Sequence, residues 1–214
     1  MSAELLADLN EPQRQAVVHE DSALLVVAGA GSGKTRVLTR RIAYLLANRN
    51  VSPGEILAIT FTNKAAGEMR ERVEHIIGPA ARGMWVSTFH SACVRILRAE
   101  GHRLGLRSQF SIYDTQDSLR LMSIVIKDLN IDPKNELIDY EDASRKAEEP
   151  LDLVVAQVYR EYQRRLMQSS AVDFDDLINH TVALLQSFPE VAEYFHRKFR
   201  HVLVDEYQDT NHAQ

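Results

Sequence analysis

The stretch Ala28-Gly29-Ala30-Gly31-Ser32-Gly33-Lys34-Thr35 carries the strongest structural signal in this chain of 214 residues. It follows an apolar run, Leu24–Ala28 (LLVVA), and precedes a segment whose apolar residues recur at helical spacing. Glycines let successive backbone N–H groups converge on an anion, and the N-terminus of the following helix adds partial positive charge. The stretch therefore predicts a phosphate-binding loop between a strand and a helix.

The residues of this loop have distinct expected roles toward a bound nucleoside triphosphate. Lys34 would reach the β- and γ-phosphates, and the Thr35 hydroxyl would ligate Mg²⁺. Ala28 stands where the G-x-x-x-x-G-K-[ST] pattern has its first glycine, but a small residue still fits there. An ordinary glycine-rich turn is the alternative, and the position between a strand and a helix argues against it. The remaining residues expected to bind the nucleotide are Ala30, Gly31, Ser32 and Gly33.

A second apolar run, Val202–Val204, ends in two acids, Asp205 and Glu206. An Asp at the carboxyl end of a strand beside a phosphate loop commonly holds Mg²⁺, directly or through water. Glu206 could orient and deprotonate an attacking water, which hydrolysis requires. Two solvated acids at a strand end are the alternative interpretation. We predict Lys34, Asp205 and Glu206 as catalytic residues, and Thr35 and Asp205 as the metal ligands.

The hydrophobic pattern predicts an α/β fold with a parallel sheet. Continuous apolar runs indicate strands that are buried on both faces, and amphipathic helical segments separate them. Residues 115–200 are nearly all patterned as helix, which predicts a helical insertion, whereas 132–150 are polar and predict a loop or a weakly held helix. The expected division is 1–114 with 201–214, and 115–200. The predicted strands are Leu24–Ala28, Ile56–Phe61, Met84–Phe89, Phe110–Tyr113 and Val202–Val204.

Composition narrows the class of protein further. No apolar run reaches the roughly 20 residues that a membrane span needs, and the single Cys93 excludes an internal disulfide framework and fits a reducing cytosol. The net charge is −5, but residues 34–107 carry 13 Lys/Arg against 5 Asp/Glu, a net +8. This asymmetry predicts one basic face on an acidic body. Solvated arginines on helix surfaces are the alternative.

The sequence resembles the UvrD/PcrA/Rep group of superfamily 1 DNA helicases. The resemblance rests on AGAGSGKT, on DEYQDTN at 205–211, and on further blocks in the family's order, ILAITFTNKAAGEMRERV at 56–73, WVSTFHSACVRILR at 85–98 and DFDDLI at 173–178. It implies a RecA-like P-loop domain with an all-helical inserted subdomain. It also implies an ATP-driven translocase that moves 3′ to 5′ on single-stranded DNA, with ATP and Mg²⁺ as cofactors.

The same resemblance implies individual residue roles. Gln13 resembles the glutamine that reads adenine, and Arg36 resembles the arginine that stacks on it. Two blocks resemble motifs that contact single-stranded DNA through aromatic stacking and polar contacts to phosphate. Without the resemblance, the two phenylalanines would be interpreted as core residues and the histidine as structural. The expected DNA contacts are Phe61, Thr62, Asn63, Lys64, Thr88, Phe89 and His90.

Two departures from the family pattern affect the expected activity. The family continues into a second motor domain with arginines that complete the ATP site, and an arginine finger is worth about 10³–10⁵ in rate. We therefore expect this chain alone to hydrolyse ATP weakly or not at all. The segment around Lys134 and Asn135 also looks shortened. The alternatives are a nucleotide- or DNA-binding module without turnover, and the motor part of a helicase–nuclease subunit.

The remaining expectations concern environment and minor motifs. We expect a cytoplasmic, nucleoid-associated protein whose partners are single-stranded DNA, junctions of single- and double-stranded DNA and the second motor domain, with no membrane association. Repair proteins are further candidate partners. Asp173 is interpreted as a helix cap followed by two exposed acids, Asp175 and Asp176, rather than as a metal cluster. Cys93 is interpreted as a small buried hydrophobic residue.

Overall fold

A computed structural model describes residues 2–20, 22–131 and 149–214 of the chain. Its contacts divide it into two units, residues 1–93 with 185–214, and residues 94–184. The strands are β1 (Ile56–Thr60), β2 (Trp85–Thr88), β3 (Ser111–Ile112), β4 (Ala171–Val172) and β5 (His201–Val204). The helices are α1 (Ser2–Leu6), α2 (Glu11–Val18), α3 (Lys34–Asn48), α4 (Asn63–Ile77), α5 (Phe89–Glu100), α6 (Thr115–Asp128), α7 (Glu149–Gln168), α8 (Phe174–Ser187) and α9 (Pro189–Lys198).

The first unit is built on a parallel sheet with the strand order β2-β1-β5. Ala58 of the central strand β1 is in register with Val86 on one side and Leu203 on the other. The carboxyl ends of all three strands therefore lie at one edge of the sheet, where the sequence places its polar motifs. Mixed helices and strands with parallel sheets confirm the predicted α/β class.

The core of this unit lies between the sheet and helices α3 and α4. The apolar stripes predicted for the two helices face this core: Ile42 and Met69 are fully buried against Ile56 of β1. Helix α4 begins after Thr62, whose hydroxyl accepts a hydrogen bond from the Ala65 N–H at 3.1 Å. It ends at Ile77 and is followed by Gly78, which has a positive φ of 70° and precedes a proline.

One predicted strand of this unit is wrong. Leu24–Ala28 forms no strand, and its side chains are exposed, with Val27 88% accessible. The hydrophobicity of the run indicates a preference for burial, but a strand forms only beside a partner that completes its hydrogen bonds. In the described part of the chain, β1 has a paired strand on each side, whereas this run pairs with no strand.

The second unit contains helices and a two-stranded parallel pair, β3 with β4. The run predicted as a strand at Phe110–Tyr113 is shortened to β3, which pairs with β4 and not with the main sheet. Because β4 has only two residues, hydrophobic periodicity could not reveal it. Helices α6 and α7 pack beside this pair through a cluster that includes Val125, Tyr162 and Leu166.

The start of α8 corrects the interpretation of the acidic DFDD motif. Asp175 is exposed as expected, but Asp176 is buried. The Asp173 carboxylate accepts from the Asp176 N–H at 2.8 Å, and the Asp176 carboxylate accepts from the Asp173 N–H at 3.3 Å. Gln163 donates to Asp176 at 2.9 Å. The motif is thus a reciprocal capping box, which an Asp three residues after the cap could have indicated.

Two predictions concern residues that lie almost entirely outside the described part of the chain. One is the loop or weak helix at 132–150, and the other is the shortening between Lys134 and Asn135. Among the helices that the structure does describe, none combines the length and hydrophobicity needed to span a membrane. Cys93 is buried, as predicted.

Candidate functional site

The predicted phosphate loop is a tight turn that leads directly into α3. Gly31 and Gly33 have φ values of 73° and 87°, a region that L residues rarely adopt. Ser32 closes the turn, because its N–H and its hydroxyl both donate to the Gly29 carbonyl, at 3.3 and 2.7 Å. Gly33 is the N-cap of α3 and supplies no capping side chain. A helix N-terminus of this kind favours a negatively charged ligand.

The lysine of the motif is positioned at this loop. The Lys34 ammonium donates to the carbonyl oxygens of Ala28 and Gly29, at 3.0 and 3.2 Å. These two bonds hold a positive charge over the glycine turn. Because carbonyl oxygens are weaker partners than anionic oxygens, a bound phosphate would compete well for the same ammonium.

The candidate metal ligands Thr35 and Asp205 lie together, although 170 residues separate them in the sequence. Asp205 follows β5, and its N–H extends the sheet by donating to the Ile59 carbonyl at 2.9 Å. The Thr35 hydroxyl donates to the Asp205 carboxylate at 3.5 Å. Burial, and then the charge of Glu206, raise the pKa of Asp205, while the Thr35 hydroxyl and Lys34 oppose that shift. A hydroxyl beside a desolvated carboxylate suits Mg²⁺, which would stabilise the ionised form.

Glu206 lies next to this pair but has different partners. Its backbone is in the left-handed region with φ 50°, and its carboxylate accepts from the Gln208 amide at 2.6 Å. Its N–H donates to the Asp205 carboxylate at 3.2 Å. The side chain is exposed at the carboxyl edge of the sheet. The proposed role of Glu206 in activating water stays a prediction.

Gln13 and Arg36, the two residues expected to contact a base, both lie near the loop. Gln13 on α2 donates from Nε2 to the Ser32 carbonyl at 3.0 Å. Arg36 donates to the Asp8 carbonyl at 2.9 Å and forms an ion pair with the Asp8 carboxylate at 3.5 Å. The motif spacing did not indicate either contact, because both join segments that are distant in sequence. Contact with adenine stays a prediction for both residues.

The expected DNA-contact blocks begin where β1 and β2 end. The rings of Phe61 and Phe89 pack edge to face, with centroids 5.8 Å apart, because each follows one of two paired strands. Phe61 is partly exposed and Phe89 is half-buried, so neither is a simple core residue. Lys64 is almost fully exposed, and its ammonium lies 4.0 Å from the Glu68 carboxylate. An exposed aromatic ring beside an exposed cation suits a single-stranded nucleic acid.

Several polar side chains of these blocks already form hydrogen bonds with neighbouring residues. Thr88 is buried, and its hydroxyl accepts from the Ser91 N–H at 3.2 Å. Asn63 accepts from the Ser91 hydroxyl at 3.5 Å, and Thr62 caps α4. His90 is half-buried at the start of α5. The structure therefore brings all seven candidates to one edge of the sheet, with Phe61 and Lys64 more exposed than Thr88, and DNA binding by each stays a prediction.

Nearby carboxylates neutralise more of the charge of residues 34–107 than their net count of +8 suggests. Many arginines of this segment pair with these carboxylates, which supports the alternative of solvated helix surfaces for those side chains. The ion pairs are Arg36 and Arg40 with Asp8, Arg49 with Glu20, Arg72 with Glu68 and Arg103 with Glu100. The charge pattern alone is therefore weak evidence for a nucleic-acid surface.

A glycine turn opens a helix beside a Thr–Asp pair at the end of a parallel strand, within a protein of the α/β class. Comparison with known sequences identifies the family of the chain. The sequence pattern of the UvrD/REP helicase N-terminal domain matches residues 9–214. The chain belongs to that family.

Individual relatives are similar over nearly the whole chain. The ATP-dependent DNA helicase UvrD1 of Mycobacterium tuberculosis (strain ATCC 25618 / H37Rv) is 60% identical over an aligned length of 230 residues. The alignment covers 99% of this chain and 30% of the helicase. The ATP-dependent DNA helicase PcrA of Bacillus subtilis (strain 168) is 51% identical over 229 residues, covering 100% of this chain and 31% of that helicase. The chain thus spans about 30% of the length of these curated relatives.

Proposed function

We propose that this chain is the ATP-binding part of a DNA helicase that couples hydrolysis of Mg²⁺-ATP to 3′-to-5′ movement on single-stranded DNA. The observation that carries the proposal is the contact between Thr35 and Asp205 beside the glycine turn. It is supported by the names of the relatives, which are ATP-dependent DNA helicases. DNA repair or replication is the proposed setting, and the cytoplasm with its nucleoid is the proposed location.

The nucleotide half of the proposal follows from the charges around the loop. The phosphates would lie over the N-terminus of α3, beside the glycine turn and the Lys34 ammonium. Lys34 would exchange its carbonyl partners for phosphate oxygens and stabilise negative charge that develops during hydrolysis. Glu206, which is exposed beside Asp205, would accept a proton from the attacking water.

The proposed binding of Mg²⁺ depends on Thr35 and Asp205. When bound there, Mg²⁺ would neutralise charge on the phosphate oxygens. The chain contributes an oxygen pair that is already assembled, since the hydroxyl and the carboxylate are 3.5 Å apart. The pKa of Asp205 is raised because burial removes water that would stabilise the ionised carboxylate. A divalent cation bound beside it would supply that stabilisation.

The DNA half depends on the edge of the sheet where β1 and β2 end. Phe61 offers a ring for stacking, and Lys64 offers a cation to the phosphate backbone. Stacking on one aromatic ring is worth about 1–3 kcal/mol per base and does not depend on base identity. Since β1, which precedes both residues, also pairs with the strand before Asp205, nucleotide and DNA would act on one sheet.

The test is ATP turnover by this chain and by a longer version that carries the second motor domain, each with and without single-stranded DNA. We expect the long version to show turnover stimulated by DNA, and the short chain to show weak turnover or none. Lys34→Ala should abolish turnover in the long version. Normal turnover in that variant would contradict the site, and equal turnover by the short and long versions would contradict the need for a second domain.

Direction and unwinding need a separate measurement on the long version. Duplexes with a 3′ single-stranded tail should be unwound with ATP, whereas duplexes with a 5′ tail should not. The reverse preference would contradict the proposed polarity while leaving the nucleotide site intact.

A further inference from the structure

Arg41 is a half-buried cation in the middle of α3 that donates, among the described residues, to backbone carbonyls at the end of another helix. Its Nη1 donates to the carbonyl oxygens of Ala16 and Val17, each at 3.1 Å, and of His19 at 2.9 Å. These carbonyls belong to the last turn and the C-cap of α2, where no further helical N–H can satisfy them. A cation at a helix C-terminus also opposes the negative end of the helix dipole.

The opposite end of α2 is fixed to the phosphate loop. Asn10 and Gln13 form a reciprocal capping box, in which each side chain accepts from the other residue's N–H. The Gln13 amide nitrogen then donates to the Ser32 carbonyl at 3.0 Å. A Cβ on Gly33 would lie 3.0 Å from that same nitrogen, so the fit between glutamine and loop is close.

Helix α3 is thus connected to α2 at two places. Arg41 holds the C-terminal end of α2, and the loop that begins α3 is held by Gln13 near its N-terminal end. Between them, Val17 of α2 and Val37 of α3 are buried in one apolar cluster with Leu9. A shift of α2 along α3 would therefore strain both the Arg41 bonds and the bond from Gln13 to Ser32.

We propose that Arg41 is a positioning residue for the phosphate loop, acting through α2 and Gln13. The loop residues themselves are exposed and make few packing contacts, so the loop needs an external constraint to keep the shape that receives phosphate. A site that is held in its binding shape before the ligand arrives binds more tightly, because less ordering remains to be done on binding. Burial lowers the pKa of Arg41, but guanidinium remains charged at neutral pH.

The proposal rests on the proposed function and is tested by a double-mutant cycle. Binding of Mg²⁺-ATP and of inorganic tripolyphosphate with Mg²⁺ would be measured by calorimetry for the wild-type chain, Arg41→Met, Gln13→Ala and the double variant. Each single change should weaken binding of both ligands about tenfold, and the double variant should bind no more weakly than the weaker single variant, because coupled residues are not additive. Additive losses would overturn the proposal.

Tripolyphosphate separates this role from recognition of the base. It carries no adenine, so any contact of Gln13 with adenine cannot affect its binding. Weakened ATP binding with unchanged tripolyphosphate binding would show that Arg41 and Gln13 act on the base, and would overturn a role in positioning the loop. Unchanged binding of both ligands in a less stable protein would reduce Arg41 to a stabilising residue, which also overturns it.

Matched variants separate a specific effect on binding from general destabilisation of the protein. Arg41→Lys keeps a cation with several donors and should bind within about threefold of the wild type, a difference of less than 1 kcal/mol. Arg72→Met removes an exposed arginine from α4 and should change neither affinity. If Arg41→Met does not fold, Arg41→Gln, with a shorter and uncharged side chain that keeps a donor amide group, replaces it in the cycle with the same expected result. Failure of the wild-type chain to bind Mg²⁺-ATP would contradict the proposed function itself and this inference with it.

Discussion

Two apolar segments of the first unit have similar compositions and opposite environments. Leu24–Ala28 reads LLVVA and lies exposed before the phosphate loop, whereas Ile56–Thr60 reads ILAIT and forms the central strand of the sheet. The difference lies in their neighbours, since β1 pairs with a strand on each side. Hydrophobicity therefore indicates a preference for burial, and pairing with neighbouring strands decides whether burial occurs.

The largest expected effect is on the buried segment. Ile56→Ala should destabilise the protein by about 2–5 kcal/mol, because it removes a fully buried side chain and leaves a cavity between the sheet and the helices. Urea unfolding followed by circular dichroism would measure the change. Val202→Ala, on an exposed position of β5, is the matched control and should lose less than about 1 kcal/mol. Equal losses in the two variants would contradict the described core.

The loop between these two segments should be the next most sensitive place. Gly33→Ala should destabilise the protein by about 1–2 kcal/mol, because an L residue is strained at a φ of 87°. Its Cβ would also press on the Gln13 amide, so the affinity for Mg²⁺-ATP should fall.

Gly29→Ala provides the comparison within the same loop. A Cβ at that position meets nothing within 4 Å, so its effect on stability should be small. The urea midpoints of the two variants give the difference. A larger loss for Gly29→Ala than for Gly33→Ala would show that the loop geometry described above is wrong.

Replacing Asp205, at the carboxyl end of the sheet, should stabilise the folded protein and weaken its binding of Mg²⁺-ATP. Burial and Glu206 raise the pKa of Asp205 above the ordinary value, so its contribution to stability is present below that value and is lost as the pH rises through the folded pKa. Asp205→Asn removes the unfavourable charge and should raise the Tm of the ligand-free protein at pH 7 by on the order of 2 °C. Binding of Mg²⁺-ATP should weaken at the same time.

The pH dependence checks the cause of that gain. Below about pH 4 the wild-type carboxyl is protonated in both the folded and unfolded states, so the advantage of the Asn variant should disappear. A gain that persists unchanged into acid would mean that it does not come from the charge of Asp205.

The smallest expected effect is on the exposed segment. Val27→Ser should change the free energy of unfolding by less than about 0.5 kcal/mol, because the side chain is 88% accessible. The same urea experiment measures it beside Ile56→Ala. A loss above 1 kcal/mol would show that Leu24–Ala28 is buried in solution, and the contrast between the two segments would no longer hold.

Much of the fold could be predicted because its signals are local. The stripes of α3 and α4, the apolar runs that become β1, β2 and β5, and the glycine turn before Lys34 each depend on residues close in sequence. The pairing of Thr35 with Asp205 was predicted only through the chemistry that both would share at one metal ion. Their contact follows from the parallel sheet, in which the Asp205 N–H donates to the Ile59 carbonyl, and metal binding by the pair stays a prediction.

What could not be predicted depends on contacts between distant segments. The tether from Gln13 to Ser32 and the bonds from Arg41 to α2 leave no pattern in the sequence. The burial of Asp176 left a weak one, an Asp three residues after a cap, and the two-residue strand β4 left none. The failed strand at Leu24–Ala28 has the same origin, since a run cannot indicate whether a partner strand will lie beside it.

The central claim is that the loop at Lys34 and the pair Thr35–Asp205 together bind Mg²⁺-ATP. Calorimetric titration of ATP into the wild-type chain, Lys34→Ala and Thr35→Ala, each with Mg²⁺ and with a chelator, tests it most directly. We expect the wild type to bind with an affinity that depends on Mg²⁺, Lys34→Ala to lose at least about tenfold in both conditions, and Thr35→Ala to lose the Mg²⁺ dependence. Equal binding by all three proteins, with or without Mg²⁺, would contradict the claim.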